Sequence, residues 1–359
     1  MAKPKKILFL FPYPHATAAS QRFRFEQYLD ILKAQGYQLR LQSFLDETTW
    51  GILYKPGRTL AKAWGIGWGF LRRLKVFFTA GQYAYIFIHR EATPLGLPWL
   101  EWSLAKIWRK KIIFDFDDAI WLPNTSDTNA WAAWLKFHQK TAWICRWAYK
   151  VSAGNAYLVE YARKYNPRVV LNPTTIDTLH WHNQTRDQSR SENLVIGWTG
   201  THSTLKYLDE LIPVLQKLEK QHSFTFLVIA DRPPEFHLSS LKFVPWQKHT
   251  EIEDLLQMHV GVMPLSDDAW ARGKCGFKAL QYMALGIPPL VSPVGVNTEI
   301  VQNGHNGFIC NKSPAWEAAL HTLLCQPALR QKMGEAARKT VEARYSVMSN
   351  QNNFVELFS

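Results

Sequence analysis

Residues 271–289 read Ala-Arg-Gly-Lys-Cys-Gly-Phe-Lys-Ala-Leu-Gln-Tyr-Met-Ala-Leu-Gly-Ile-Pro-Pro, and they hold the punctuation of a complete supersecondary unit. A loop with two glycines leads into a largely apolar segment. That segment stops at Gly286, the residue type that most easily takes the left-handed turn closing a helix. Ile287-Pro288-Pro289 then forbids further helix and leads into an apolar strand. Together with the apolar run before it, this is strand, loop, helix, strand, the repeat from which parallel sheets with helices on both faces are built.

The alternation continues in both directions. Downstream, apolar runs predict strands at Leu194-Thr199, Phe224-Ala230, Lys242-Val244, Gly261-Pro264, Pro289-Val291 and Phe308-Cys310. Helices are predicted at Thr204-Lys220, Glu251-Met258, Lys274-Leu285, Ala315-Leu324 and Ala328-Tyr345. Upstream, strands fall at Lys6-Phe11, Leu39-Phe44, Tyr85-His89, Lys111-Phe116, Lys150-Ser152 and Val169-Leu171, with helices notably at Gln21-Ala34, Pro98-Arg109 and Ala130-Tyr149. Asn172 to Asp177 and the polar stretch His182 to Asn193 separate the two series and read as a hinge. The expected class is α/β, two Rossmann-like domains facing a cleft, a division that suits 359 residues.

Composition narrows the function. Hydrophobic residues at 47% and charged residues at 20% exclude a disordered chain. Cys145, Cys275, Cys310 and Cys325 lack the CxxC spacing of a zinc or redox motif and read as reduced thiols of the cytosol. The apolar run Ile7 to Phe11 is too short for a signal peptide, and no stretch approaches the roughly 18 apolar residues of a spanning helix. The expectation is a cytoplasmic protein, soluble or peripheral on the inner face of the membrane.

The net charge of +13 is unevenly spread: residues 1–172 hold 25 Lys+Arg against 11 Asp+Glu, whereas 173–359 hold 17 against 18. Eleven of the 16 tryptophans also lie in the first half, so that half is expected to meet an anionic membrane surface. Arg72, Arg73 and Lys75 beside Trp64 and Trp68, with Lys136, Arg146 and Trp147, are the candidate contacts. No nucleic-acid recognition motif accompanies the charge.

Three sets of residues stand out chemically. Val195 to Thr204 runs from a strand through Gly197 and Gly200 into a Ser/Thr-rich helix start, where backbone N–H groups near Gly200 and Thr201 suit either a phosphate or plain turn chemistry. Lys206 follows on what is expected to be the first helical turn, where the dipole disfavours a cation unless an anion is bound. Lys274 and Lys278 share a helical face with Gln281 and Tyr282, again at a helix start, which suits either a solvated face or a phosphate ligand. In the first half, Arg22 and Arg24 sit at a strand-to-helix turn, where they meet an acidic ligand or a structural carboxylate or else stay as solvated charge. Two strands end in sets of three polar residues, His89-Arg90-Glu91 and the aspartates Asp115, Asp117 and Asp118, the latter open also to a metal reading.

The stretch Val262-Met263-Pro264, Phe277 to Pro288, Thr298-Glu299-Ile300-Val301-Gln302-Asn303-Gly304 and Gly307-Phe308 resembles the donor-binding core of group 1 (family four) glycosyltransferases of the GT-B fold. Asn172 to Asp177 is similar to that family's hinge, and Gly200 to Lys206 to its phosphate turn. The resemblance implies an N-terminal acceptor domain over 1–172, a C-terminal donor domain over 173–347, and a final helix over 348–359 packing back on the first domain. It also implies a nucleotide-sugar donor, retention of configuration, no cofactor and no metal. Carried onto this chain, the donor contacts are Gly200, Thr201, Lys206, Lys274, Lys278, Gln281 and Glu299. Lys206 and Lys278 would neutralise the leaving diphosphate, and Glu91 and Asp117 would serve a glycan or lipid-linked acceptor. Departures from the pattern are explicit: Gly273 and Gln281 stand where the family has its paired glutamates, and Thr201 where it has an arginine. These losses leave open a non-catalytic nucleotide-sugar-binding protein.

Overall fold

The computed structural model describes residues 4–53, 55–123, 137–188 and 193–359. Two compact units divide the chain. One comprises the residues up to Thr174 together with Gln351–Ser359, and the other runs from Thr175 to Asn350.

The first unit is a six-stranded parallel sheet of β1 (Lys6–Phe11), β2 (Gln38–Ser43), β3 (Tyr85–His89), β4 (Lys111–Phe116), β5 (Lys150–Ala153) and β6 (Val169–Leu171), in the order β2-β1-β3-β4-β5-β6. Its central strands are continuous apolar runs because helices cover both faces; every residue of β3 is buried. Two of those helices are α1 (Thr59–Thr79) and α2 (Lys140–Trp147). The predicted helix over 21–34 is broken into Ala19–Arg22, a 3-10 turn at Glu26–Tyr28 and Leu29–Ala34. The beginning of the predicted Ala130-Tyr149 helix, with Lys136, lies outside the described residues.

The second unit repeats the plan with β7 (Val195–Gly200), β8 (Thr225–Ala230), β9 (Leu241–Pro245), β10 (Val260–Met263), β11 (Pro289–Val291) and β12 (Phe308–Ile309), in the order β12-β11-β10-β7-β8-β9. Around it lie α3 (Ile212–Leu218), α4 (Phe277–Ala284), α5 (Asn297–Ile300) and α6 (Ser313–Cys325). The single helix expected over 204–220 is two elements, a 3-10 helix at His202–Leu208 and then α3. Pro213 explains the break, since it lacks an N–H and is tolerated only in the first turn of the helix it begins.

Each sheet therefore has one switch point, where the strand order reverses and ligands of open α/β sheets bind. In the first unit it lies between β1 and β3, and in the second between β7 and β10.

Candidate active site

In the second unit, α4 leads away from the switch point. Gly276 opens it at φ +67, a conformation costly for any other residue, and supplies no side-chain cap. The first turn holds no acidic residue. Tyr282 anchors the helix to both switch-point strands: its hydroxyl lies 3.1 Å from Thr199 N, from which it accepts, and 3.4 Å from Val262 O, to which it donates. That docking places Lys278 Nζ 5.1 Å from the ring centroid of the buried Trp198 on β7. The structure thus brings Lys278 beside the end of β7 from 80 residues away in sequence. Lys274, partly buried, precedes Gly276 in the same loop.

The turn after β7 is tied within the protein. Thr201 and Thr204 form a reciprocal capping box, and His202 donates its backbone N–H to Asp231 at 2.6 Å. A carboxylate already occupies part of the position expected for phosphate. Lys206 is exposed, 5.5 Å from the Tyr207 ring centroid, and lies in the last turn of its 3-10 helix. The expectation that the dipole disfavours it there is corrected, because that end of a helix favours a cation.

Gln281 also departs from expectation. It is 1% exposed, and its amide nitrogen lies 3.5 Å from both His182 Nε2 and Glu251 Oε1. A residue on the buried side of α4 does not present its amide to a ribose. Glu299 is exposed on α5, whose Ile300 packs over Gly276. Asp267 and Asp268, the carboxylates just upstream of Gly273, are used locally. Asp267 pairs with Arg272 at 2.6 Å, and Asp268 caps the short helix Ala269–Arg272.

In the first unit, parallel pairing sets His89 of β3 opposite Asp115 of β4 and gathers both polar triplets. Asp115 is fully buried and accepts from Arg24, from Ser152 Oγ at 2.6 Å and, on the tautomer that donates, from His89 Nδ1 at 2.8 Å. Arg24 also reaches the Asn172 carbonyl, and Asn172 Nδ2 donates to Ser152 at 3.1 Å. Burial would raise the Asp115 pKa, but Arg24 first and His89 next hold it well below the usual carboxylate range. Of the readings offered for Arg24, the carboxylate is what the structure contains. Ser152 and the Asn172 side chain escaped the sequence reading, since single polar residues at strand ends carry no spacing signal.

Beyond the strand ends, Arg90 adopts φ 60 and spans two carboxylates, with Nε 2.8 Å from Asp117 and Nη2 2.6 Å from Asp118. Burial opposes its charge, yet Asp117 and Asp118 outweigh burial and hold its proton more firmly than usual. Glu91 is paired with the buried Lys140 at 2.6 Å, and Lys140 also donates to Thr93 O at 2.8 Å. Both acceptor-side candidates, Glu91 and Asp117, are thus held in place by cations. Lys140 lies in the tryptophan-rich stretch near residue 140, which masks it in the sequence.

Two parallel α/β units with these switch points make the GT-B fold. Over nearly the whole chain the structure is similar to sucrose-phosphate synthase from Thermosynechococcus elongatus, at TM-score 0.73 and 13% identity, covering 99% of this chain and 98% of that one. It is likewise similar to the catalytic domain of starch synthase IV from Arabidopsis thaliana bound to ADP and acarbose, at TM-score 0.69 and 10% identity, covering 99% of each chain. HepE from Anabaena, in complex with UDP-glucose, matches at TM-score 0.65 and 15% identity over 98% of each chain. No curated protein sequence matches the chain. Residues 182–340 match the sequence model of glycosyl transferases group 1. The match to group 1 glycosyl transferases thus falls within the second unit.

Proposed function

We propose that the chain moves a sugar from a nucleotide-sugar donor to a glycan, lipid-linked or other cell-envelope acceptor, with retention and without a metal ion. The observation that carries this reading is α4. Its uncapped start, flanked by Lys274 and Lys278, is docked at the β7/β10 switch point inside the segment that matches group 1. The UDP-glucose of HepE and the ADP of starch synthase IV support a nucleotide-linked donor.

In the reaction the anomeric carbon–oxygen bond breaks and its electron pair leaves on the diphosphate, while the acceptor hydroxyl supplies the new bond and loses its proton. Lys278, with Lys274 and Lys206, places positive charge where that negative charge grows. N–H groups near Gly200 and Thr201 contribute to the extent that the donor displaces the Asp231 contact. Glu91 and Asp117 orient the acceptor, and their paired cations fix their rotamers.

The replacement of both family glutamates, by Gly273 and an inward Gln281, favours a second reading, a non-catalytic nucleotide-sugar-binding protein. The two are separated by measuring donor binding and turnover with UDP-, GDP-, ADP- and TDP-sugars for the wild type and Lys278→Ala. Loss of a charge-assisted contact worth about 1.5–3 kcal/mol lowers kcat/KM roughly 10- to 100-fold, mainly in kcat. Wild-type kinetics in Lys278→Ala would move the donor elsewhere. Donor binding by the wild type with no turnover across a broad acceptor set would establish the binding protein.

A membrane-bound acceptor fits the exposed face of α1. Leu60 is 87% exposed, Trp64 75% and Phe78 68%, and Trp68, Leu71 and Leu74 lie open beside them. Among the described residues no helix is long and apolar enough to cross a membrane. We place α1 flat on an anionic leaflet, with Lys75 exposed beside the apolar side chains.

A further inference from the structure

Glycosyl transfer makes no use of a side-chain cluster on the helices flanking the second sheet. His321 and Cys325 lie four residues apart on α6 and so share a face. His222 closes the turn after α3, its backbone N–H bonded to Leu218 O at 2.9 Å. The two helices are fixed against each other, because Leu215 and Leu218 of α3 share a buried cluster with Leu320 and Leu323 of α6. An ion pair between Lys217 and Glu317 at 2.7 Å ties the same faces one turn away.

Across this seam His222 Nε2 stands 2.8 Å from His321 Nδ1, and Cys325 Sγ 3.9 Å from His321 Nε2. One ligand atom from each residue falls within 4.8 Å of the others. Cys145, Cys275 and Cys310 are buried, whereas Cys325 is exposed.

We propose that His222, His321 and Cys325 bind a borderline transition-metal cation of the Zn2+ class, which ties the end of α3 to the last turn of α6. Two imidazole nitrogens and a thiolate select such a cation over Mg2+ or Ca2+, which take oxygen ligands. Metal–nitrogen bonds of about 2.0–2.1 Å and a metal–sulfur bond of about 2.3 Å require ligand atoms roughly 3.3–3.6 Å apart in a tetrahedron. Only one nitrogen of His321 can face the ion, so the exposed His321 and Cys325 side chains must turn about their side-chain bonds to close the present 4.8 Å limit to that spacing. Each imidazole gives the ion one neutral nitrogen, water takes the fourth position, and the Cys325 proton passes to solvent as the thiolate binds. The role is structural, and it is independent of the donor site at the other elements.

The test uses the full chain, with Co2+ as spectroscopic probe and Zn2+ as competitor. A 1:1 thiolate-to-cobalt charge-transfer band, bleached by stoichiometric Zn2+, is expected, and Zn2+ should protect Cys325 from alkylation by iodoacetamide. Cys325→Ser should lose the band, and His321→Ala should weaken binding by about tenfold or more. The exposure of Cys325 keeps the serine variant folded, and the alkylation arm needs no variant. Absence of the band in the wild type, its persistence in Cys325→Ser, or alkylation indifferent to Zn2+ would each overturn the proposal.

Discussion

Asp115 shows how one residue links stability to the site. Its charge is compensated by Arg24, and its other contacts fix His89 and Ser152, so replacing the carboxylate leaves a buried guanidinium without its counter-ion. Asp115→Asn is expected to cost roughly 3–5 kcal/mol at neutral pH, read by urea unfolding. The pH dependence follows from the depressed folded pKa. The stabilisation is fully present above the unfolded value of 3.8 and is lost as pH falls below it through the folded value. Wild-type stability should therefore decline below about pH 4, and in Asp115→Asn this part of the decline should vanish. An asparagine variant with unchanged neutral stability would refute the role of the pair. The sequence left Arg24 between an acidic ligand, a structural carboxylate and solvated charge, because Asp115 lies 91 residues away and comes into reach only through the folded sheet.

At the scale of elements, α1 was the least legible part of the fold. Its buried stripe is Gly65, Gly69, Arg73 and Val76, and its large apolar residues face outward, the reverse of the pattern by which amphipathic helices are recognised. Glycines permit the close approach, since a Cβ on Gly69 would stand 2.8 Å from the Phe44 carbonyl oxygen. Arg73, expected on the membrane face, is fully buried and donates to the carbonyls of Ala92 at 2.6 Å and Phe11 at 3.1 Å; burial lowers its pKa to about 9. Arg72 is likewise turned inward, to the Phe44 carbonyl at 2.6 Å, while Arg146 is exposed and Trp147 half-buried. Two substitutions separate the faces. Gly69→Ala should destabilise by about 1–3 kcal/mol in thermal unfolding. Trp64→Glu should leave stability unchanged and remove co-sedimentation with phosphatidylglycerol vesicles at low salt. Wild-type protein that stays in the supernatant would end the membrane proposal. By contrast, the strands were legible almost to the residue, because burial on both faces writes the central ones as apolar runs, while the edge strands β2 and β9 keep polar residues and partial exposure.

At the scale of the molecule, the chain completes its first unit only with its last residues. The helix Val347–Val355 carries the chain past Asn350, after which Phe354 stacks on Tyr28 with ring centroids 4.3 Å apart. Phe358, 1% exposed, stands 6.1 Å from Phe9, 5.8 Å from Tyr85 and 6.2 Å from Phe87, so it covers the β1/β3 pair at the centre of the sheet. Tyr37 donates to the Phe358 carbonyl at 3.2 Å and Lys150 to the Glu356 carbonyl at 2.6 Å, which hold the terminal turn in register. Removing a buried aromatic ring from such a cluster costs about 3–5 kcal/mol, through lost burial and the cavity left behind. Because the second unit has its own core around Trp198, Leu215 and Leu320, that cost should fall on the first unit alone. Calorimetry of Phe358→Ala should show one transition moved down by several degrees and the other unmoved, with donor thermal shifts retained on the unmoved one. Equal displacement of both transitions would mean that the two cores unfold as one cooperative body, and that the terminal residues stabilise more than the sheet they cover.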